Sequence, residues 1–146
     1  MQQDVTFSWA GTRRGARLAL PFGASSLVYG LAFGALASEA GLSVGEAVLM
    51  SATVFSGTAQ IAVLQIWHGA LSVVPIFATV LVMNARYILM GAALRPWLAP
   101  LPAARSAGSL LFLVDGSFVI AMRGKAAGDN DAGLLMGAGL ISYVGW

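Results

Sequence analysis

The stretch "TVFSGTAQ", residues 53–60, decides how this chain is read. It lies within residues 47–67, a run without a single charge, yet it carries Thr53, Ser56, Thr58 and Gln60, with Gly57 among them. A segment that only had to be apolar would be Leu, Ile and Val throughout. What these polar side chains are for depends on the solvent around them.

That solvent is largely lipid. Of 146 residues, 58% are hydrophobic and 10% charged, against about 25% charged in a soluble domain. Mean hydropathy is +0.82. The 18 glycines suit closely packed membrane helices better than a soluble core. Cysteine is absent, which excludes disulfides, thiolate nucleophiles and thiolate metal sites. The single histidine, His68, cannot form a metal cluster alone, so neither metal nor cofactor is expected. Net charge is +2 with no basic patch interleaved with aromatics, so nucleic acid is not an expected partner.

A hydrocarbon core about 30 Å thick takes roughly 20 helical residues. The apolar runs place spans at about 18–38, 47–67, 70–94 and 106–122, and a fifth, 132–146, that stops with the chain. That last run is too short to cross unaided and reads as the incomplete fifth span of a longer protein. The linkers carry charge or proline: "EAGLSVGE" (39–46), "RPWLAPLPAAR" (95–105) and "RGKAAGDND" (123–131). The expected fold class is all-α: one membrane domain over 1–146, a polytopic transmembrane helix bundle with residues 1–17 as a cytoplasmic segment. Arg13, Arg14 and Arg17 followed by "ALAS" (35–38) also sketch a cleavable signal. The apolar run before that site is longer than a usual signal core, so a retained first helix is expected. The same arginines place the N-terminus in the cytoplasm. Simple alternation then puts Arg95 and Arg105 outside and Arg123 and Lys125 inside, a tie. A re-entrant segment at 53–67 would reverse Arg95 and Arg105, so the topology of 53–105 stays open.

On an unbroken helix Thr53, Ser56, Gly57 and Gln60 fall within an arc of about 100°, with Ser51 and Thr58 on the opposite face. Two readings compete: hydrogen-bonding glue between helices, or the lining of a pathway. A glycine inside the stripe adds a third, a helix broken near Gly57 that offers backbone groups to a ligand. Ser26, Gly30, Gly34 and Ser38 form a small-residue ridge that predicts close helix packing. Pro21 and Gly23, in "LPFG", predict a bent or unwound start to the first span. Asp115 lies about 10–13 Å from either end of its run at 1.5 Å per residue, too deep for a short side chain to reach water. Intramembrane acids are functional candidates by default; the structural alternative is an ion pair, with Arg86 of "MNARY" as partner. Asn84 sits two residues before Arg86 at similar depth. Trp67 and His68 read as interface residues.

At these residues the chain resembles the AzlC family, the larger subunit of bacterial branched-chain amino acid exporters. The resemblance is carried by "PFGASSLVYGLAFGALASEAGLS" (21–43), "LMSATVFSGTAQIAVL" (49–64), "VMNARYILM" (82–90), "LVDGSF" (113–118) and "ISYVGW" (141–146). It implies a multi-pass permease of the bacterial inner membrane that exports valine, leucine, isoleucine and, at the edge of the class, methionine. It also implies a small hydrophobic AzlD-like subunit as partner, and leaves self-association open. Two departures stand out. Gly116 occupies a place where the family commonly has an acid, and the family's C-terminal helices are missing.

An amino acid crossing lipid needs partners for an ammonium and a carboxylate. Asp115 is expected to meet the ammonium or to carry a coupling proton. Arg86, or amides at a break near Gly57, would meet the carboxylate. Gln60, Ser56 and Thr53 would add neutral hydrogen bonds, with Asn84 beside Arg86, and Phe55, Val54 and Leu64 would receive the side chain. Enzyme chemistry is not expected. A rhomboid-like G-x-S-G has Val54 where its first glycine belongs, and an intramembrane aspartyl protease needs a second aspartate. A passive channel and a purely structural subunit are the remaining rivals.

Overall fold

The structure, a computed structural model, describes residues 5–54, 56–67 and 73–146. Phe55, expected to receive the cargo side chain, and His68, expected at the interface, lie outside the described residues. Among the described residues the secondary structure is helical: α1 (Trp9–Leu18), α2 (Leu20–Glu39), α3 (Val44–Thr53), α4 (Gly57–Gln65), α5 (Val73–Leu98), α6 (Ala103–Leu111), α7 (Asp115–Ala126) and α8 (Gly133–Gly145). This meets the all-α expectation. Lipid offers no hydrogen bonds to a backbone, and helices satisfy theirs internally.

Two of these helices, α2 and α5, are long and apolar enough to cross a membrane. Four uninterrupted spans are not seen, because two of the expected runs are divided. The run 47–67 is split between Thr53 and Gly57 into α3 and α4, and the run 106–122 between Leu111 and Asp115 into α6 and α7. The first interruption is where glycine and the polar cluster predict it. The second is a correction to the reading of 106–122 as one helix, and it removes the basis for the depth given to Asp115. The bend expected at Pro21–Gly23 also moves. The chain breaks at Ala19, and both residues lie inside α2. Proline fits the first turn of a helix, where its missing amide is not needed. Gly23 serves packing instead of bending: a Cβ there would lie 2.9 Å from Ile141 Cγ2.

The described residues form two compact units, one holding the chain up to Ser26 with Tyr87–Gly145, the other Leu27–Arg86 with Trp146. In the first unit α8 packs on α1, α7 and α6. Leu94, Trp97, Ile120, Leu134 and Leu135 are buried there. Backbones come close at glycines: a Cβ on Gly15 would fall on the Leu134 carbonyl, and one on Gly137 on the Thr12 carbonyl. This is the small-residue helix packing that membrane bundles use.

One carboxylate fastens the starts of α1 and α8. Ser8, the N-cap of α1, donates from its hydroxyl to Asp131 and from its amide to Asp131 Oδ1 at 3.0 Å. The amide of Gly133, first residue of α8, donates to the same oxygen at 3.0 Å, and Arg14 pairs with neighbouring Asp129. Partial burial works against the Asp131 charge, but the Ser8 and Gly133 bonds and the Arg14 guanidinium outweigh it, so the carboxyl titrates below its ordinary 3.8. The stabilisation is therefore complete above that value and fades as pH falls through the lower, folded one. In detergent, wild type should melt above Asp131→Asn at pH 6, and the gap should close on acidification below about pH 4. A gap that persists at low pH would show that the charge plays no part.

In the second unit α2 ends through Gly41, at φ +80°, with Leu42 N–H returning to the Ala37 carbonyl at 3.0 Å. Ser43 then opens α3 in a capping box with Glu46. Phe33, Ala37 and Leu64 are buried against one another with Trp146 beside them. The small-residue ridge of α2 is used at Gly30, where a Cβ would lie 2.6 Å from the Trp146 carbonyl oxygen, but no described atom lies within 4 Å of a Cβ on Gly34. Much of α5 is apolar and bare: Val73, Phe77, Val82, Ile88 and Leu89 are all more than two-thirds exposed. A stripe of that size needs lipid or a protein partner.

Candidate functional site

The interruption in the second unit gathers most of the polar residues singled out above. α3 ends at Val54, whose backbone is neither helical nor fully extended (φ −109°, ψ 82°). Ser56 is extended and N-caps α4, but its side chain makes no capping bond. The Gln60 amide reaches the Ser56 carbonyl at 3.0 Å, the first ladder bond of α4. The amides of Gly57, Thr58 and Ala59 precede that ladder, as the first amides of any helix do.

Two side chains at this start are buried and incompletely bonded. Gln60 is 0% exposed and Ser56 5%. Gln60 Nε2 donates to the Met50 carbonyl at 2.8 Å, tying α4 back to α3. Gln60 Oε1 and Ser56 Oγ have no hydrogen-bond partner among the described residues. An unsatisfied buried polar atom costs about 1–3 kcal/mol. Glue between helices would pair both ends of each group, and among the described residues one end of each of these two groups is unpaired. Thr53 differs: its Oγ1 donates to the Leu49 carbonyl of its own helix at 2.7 Å, and the residue is exposed. Gly57 is occupied from one side, because a Cβ would lie 2.5 Å from Trp146 Cη2. Its small size therefore has a packing cause, and a bulky substitution there cannot by itself reveal a ligand. The Trp146 indole also meets Phe33, with ring centroids 6.3 Å apart, and its buried Nε1 has no partner among the described residues.

Arg86 reaches the same helix start from α5, donating from Nη2 to Thr58 Oγ1 at 3.2 Å. Thr58 thereby joins the candidate site, although on an unbroken helix it would turn away from Ser56 and Gln60. Asn84 is half-buried on α5, and its Oδ1 has no partner among the described residues. Trp146, 89 positions from Gly57, carries no sequence signal linking it to that glycine.

The first unit contains a similar device. A glycine lies in the first turn of α7, at Gly116, as Gly57 does in α4, and each lies under an aromatic ring. A Cβ on Gly116 would lie 2.7 Å from Phe22 Cδ1. The helix starts differ in how well they are satisfied. Ser117 Oγ accepts the Val114 amide at 2.9 Å and donates to the Val114 carbonyl at 3.0 Å, closing α7 on itself. Asp115 stands in the first turn of α7, exposed, where a negative charge complements the helix dipole. It is not the mid-helix acid expected from an unbroken run. It belongs to the first unit, whereas Ser56, Gly57, Gln60, Asn84 and Arg86 belong to the second.

A family model described as "AzlC protein" matches residues 21–146. No curated protein and no solved structure matches the chain.

Proposed function

The chain belongs to the AzlC family, and from that premise we propose that it is the cargo-binding subunit of an exporter of branched-chain amino acids. Membership carries a transport role at a membrane. The proposal adds the cargo (valine, leucine, isoleucine and methionine), the inner membrane, proton coupling and a small AzlD-like partner. It also counts α3–α4 and α6–α7 as two interrupted spans, completing four with α2 and α5.

The observation that carries this reading is the uncapped start of α4, with Ser56 Oγ and Gln60 Oε1 buried and lacking partners. Their chemistry matches a zwitterion. An ammonium group donates, and Gln60 Oε1 is an acceptor whose amide nitrogen is already held by Met50. A carboxylate accepts, and Ser56 Oγ can donate, beside helix-start amides that favour an anion. Arg86, held at Thr58, adds positive charge at the carboxylate end. Asp115 carries the coupling proton, and Asn84 supports the α5 side of the route.

The test is export of isotopically labelled leucine from cells expressing the full-length protein with its small partner. Wild type should give saturable flux that collapses with the proton gradient; flux that never saturates would assign a channel instead. Asp115→Asn should lower flux about tenfold or more, the scale of a lost acid–base group, and flatten its pH dependence. Unchanged flux at every pH removes Asp115 from the mechanism.

A further inference from the structure

The second unit holds an open cavity of about 330 Å³. It runs alongside α3, with α4 and α5 forming its other walls, and its lining includes Met50, Val54, Val63, Ile76 and Val80. Its volume is at the small end of the roughly 300–1,000 Å³ typical of small-molecule pockets. The lining is apolar apart from Thr53 at the break and Glu46 about two turns away along α3.

The cavity is joined to the uncapped helix start by covalent and hydrogen-bonded links. Val54 lies two residues before Ser56. Val63 follows Gln60 by three, so the two share a face of α4, roughly 5–6 Å apart. Met50 lines the cavity, and its carbonyl accepts from Gln60. Ser56 and Gln60 do not themselves line the cavity, but each lies within three residues of one that does, Val54 and Val63, and an aliphatic hollow next to unpartnered polar atoms suits a small molecule with a charged head and a branched apolar tail. From the break to Leu49 and Met50 is about one turn, 5.4 Å, the reach of an aliphatic amino-acid side chain.

We infer that this cavity receives the side chain of the exported amino acid, and that Met50 and Val80 set the upper limit on its size. The inference rests on the transport reading above and adds to it the residues that select the cargo. Among the described residues, Val54 is expected from the sequence to receive the cargo side chain and does line the cavity. Leu64, expected there too, is packed into the core with Phe33 and Ala37.

The experiment compares export of labelled valine, leucine and phenylalanine from cells carrying the full-length protein and its partner, as ratios. Val80→Phe fills the cavity and should lower the leucine-to-valine ratio about tenfold or more; Met50→Ala enlarges it and should raise the phenylalanine-to-leucine ratio by a similar factor. These are the discriminations that one or a few methylenes give in an apolar pocket. Met50→Ala leaves the backbone carbonyl in place, so it is informative even where Val80→Phe fails to fold. Wild-type ratios in the variants that fold, with wild type exporting, overturn this inference and leave the transport reading standing. A uniform fall for every substrate, with the small partner lost on purification, overturns it by seating a partner helix in the groove. No amino-acid export by wild type overturns both.

Discussion

Replacing Gln60 with Leu should reduce leucine export about 30-fold, or about 2 kcal/mol at 1.36 kcal/mol per tenfold, while leaving the fold intact. Gln60 is fully buried, and its one described side-chain bond goes to the Met50 carbonyl. That carbonyl also accepts the Val54 amide at 2.8 Å, so it keeps a partner when the glutamine is lost. Leucine has nearly the same volume and brings no unsatisfied oxygen. The structural cost is one neutral hydrogen bond, about 1 kcal/mol, offset by removal of the unpartnered Oε1. On the proposed reading the functional cost is larger, because the ammonium of the cargo would lose an acceptor, and bonds to charged groups are worth about 1.5–3 kcal/mol. Melting temperature in detergent and labelled export, measured on the same variant, separate the two. A collapse in melting temperature would make Gln60 glue. Full export from a stable variant would take it out of the cargo route.

Gly137→Leu should have the opposite profile, removing the protein before function can be measured. The Cβ added at Gly137 falls on the Thr12 carbonyl of α1 and lies 2.9 Å from the Ala16 amide nitrogen. Both obstacles are backbone, so no rotamer change relieves them, and α1 and α8 must move apart. The reciprocal contact, Gly15 on the Leu134 carbonyl, would open with it. Overpacking a core costs about 1–3 kcal/mol when side chains can yield, and more where they cannot. The gain of roughly 1 kcal/mol from replacing a helical glycine does not offset that. The expected result is loss of a monodisperse peak in detergent and of protein in the membrane. Gly34→Leu is the control: no described atom lies within 4 Å of its added Cβ, so the fold should be unaffected. Equal behaviour of the two variants would refute the packing account.

Much of the candidate site could be read in the sequence because it is built from neighbours. Ser56, Gly57 and Gln60 lie within one helical turn, and polar atoms in an uncharged apolar run are costly enough to point to themselves. The break near Gly57 followed from the same few residues. The depth expected for Asp115 does not hold, because counting residues from either end of the run assumes a continuous helix around it. Nothing in "LLFLVDGSF" (110–118) contains a proline or a glycine before the aspartate, so the interruption at 112–114 left no local mark. Thr58 gives no signal for a related reason: on an unbroken helix it faces away from Ser56 and Gln60.

By itself, the sequence determined the solvent, the helical class, the family and the polar cluster. Composition sets burial in lipid, and lipid permits few backbone structures. Tertiary structure alone decided which polar atoms stay unpartnered, why Gly57 must be small, and where an aliphatic cavity opens. Each of these depends on groups far apart in the chain: Trp146 over Gly57, Arg86 at Thr58, Val80 of α5 lining one cavity with Met50 and Val54. Satisfaction of a buried donor or acceptor is a property of what surrounds it, and a linear pattern does not contain its surroundings.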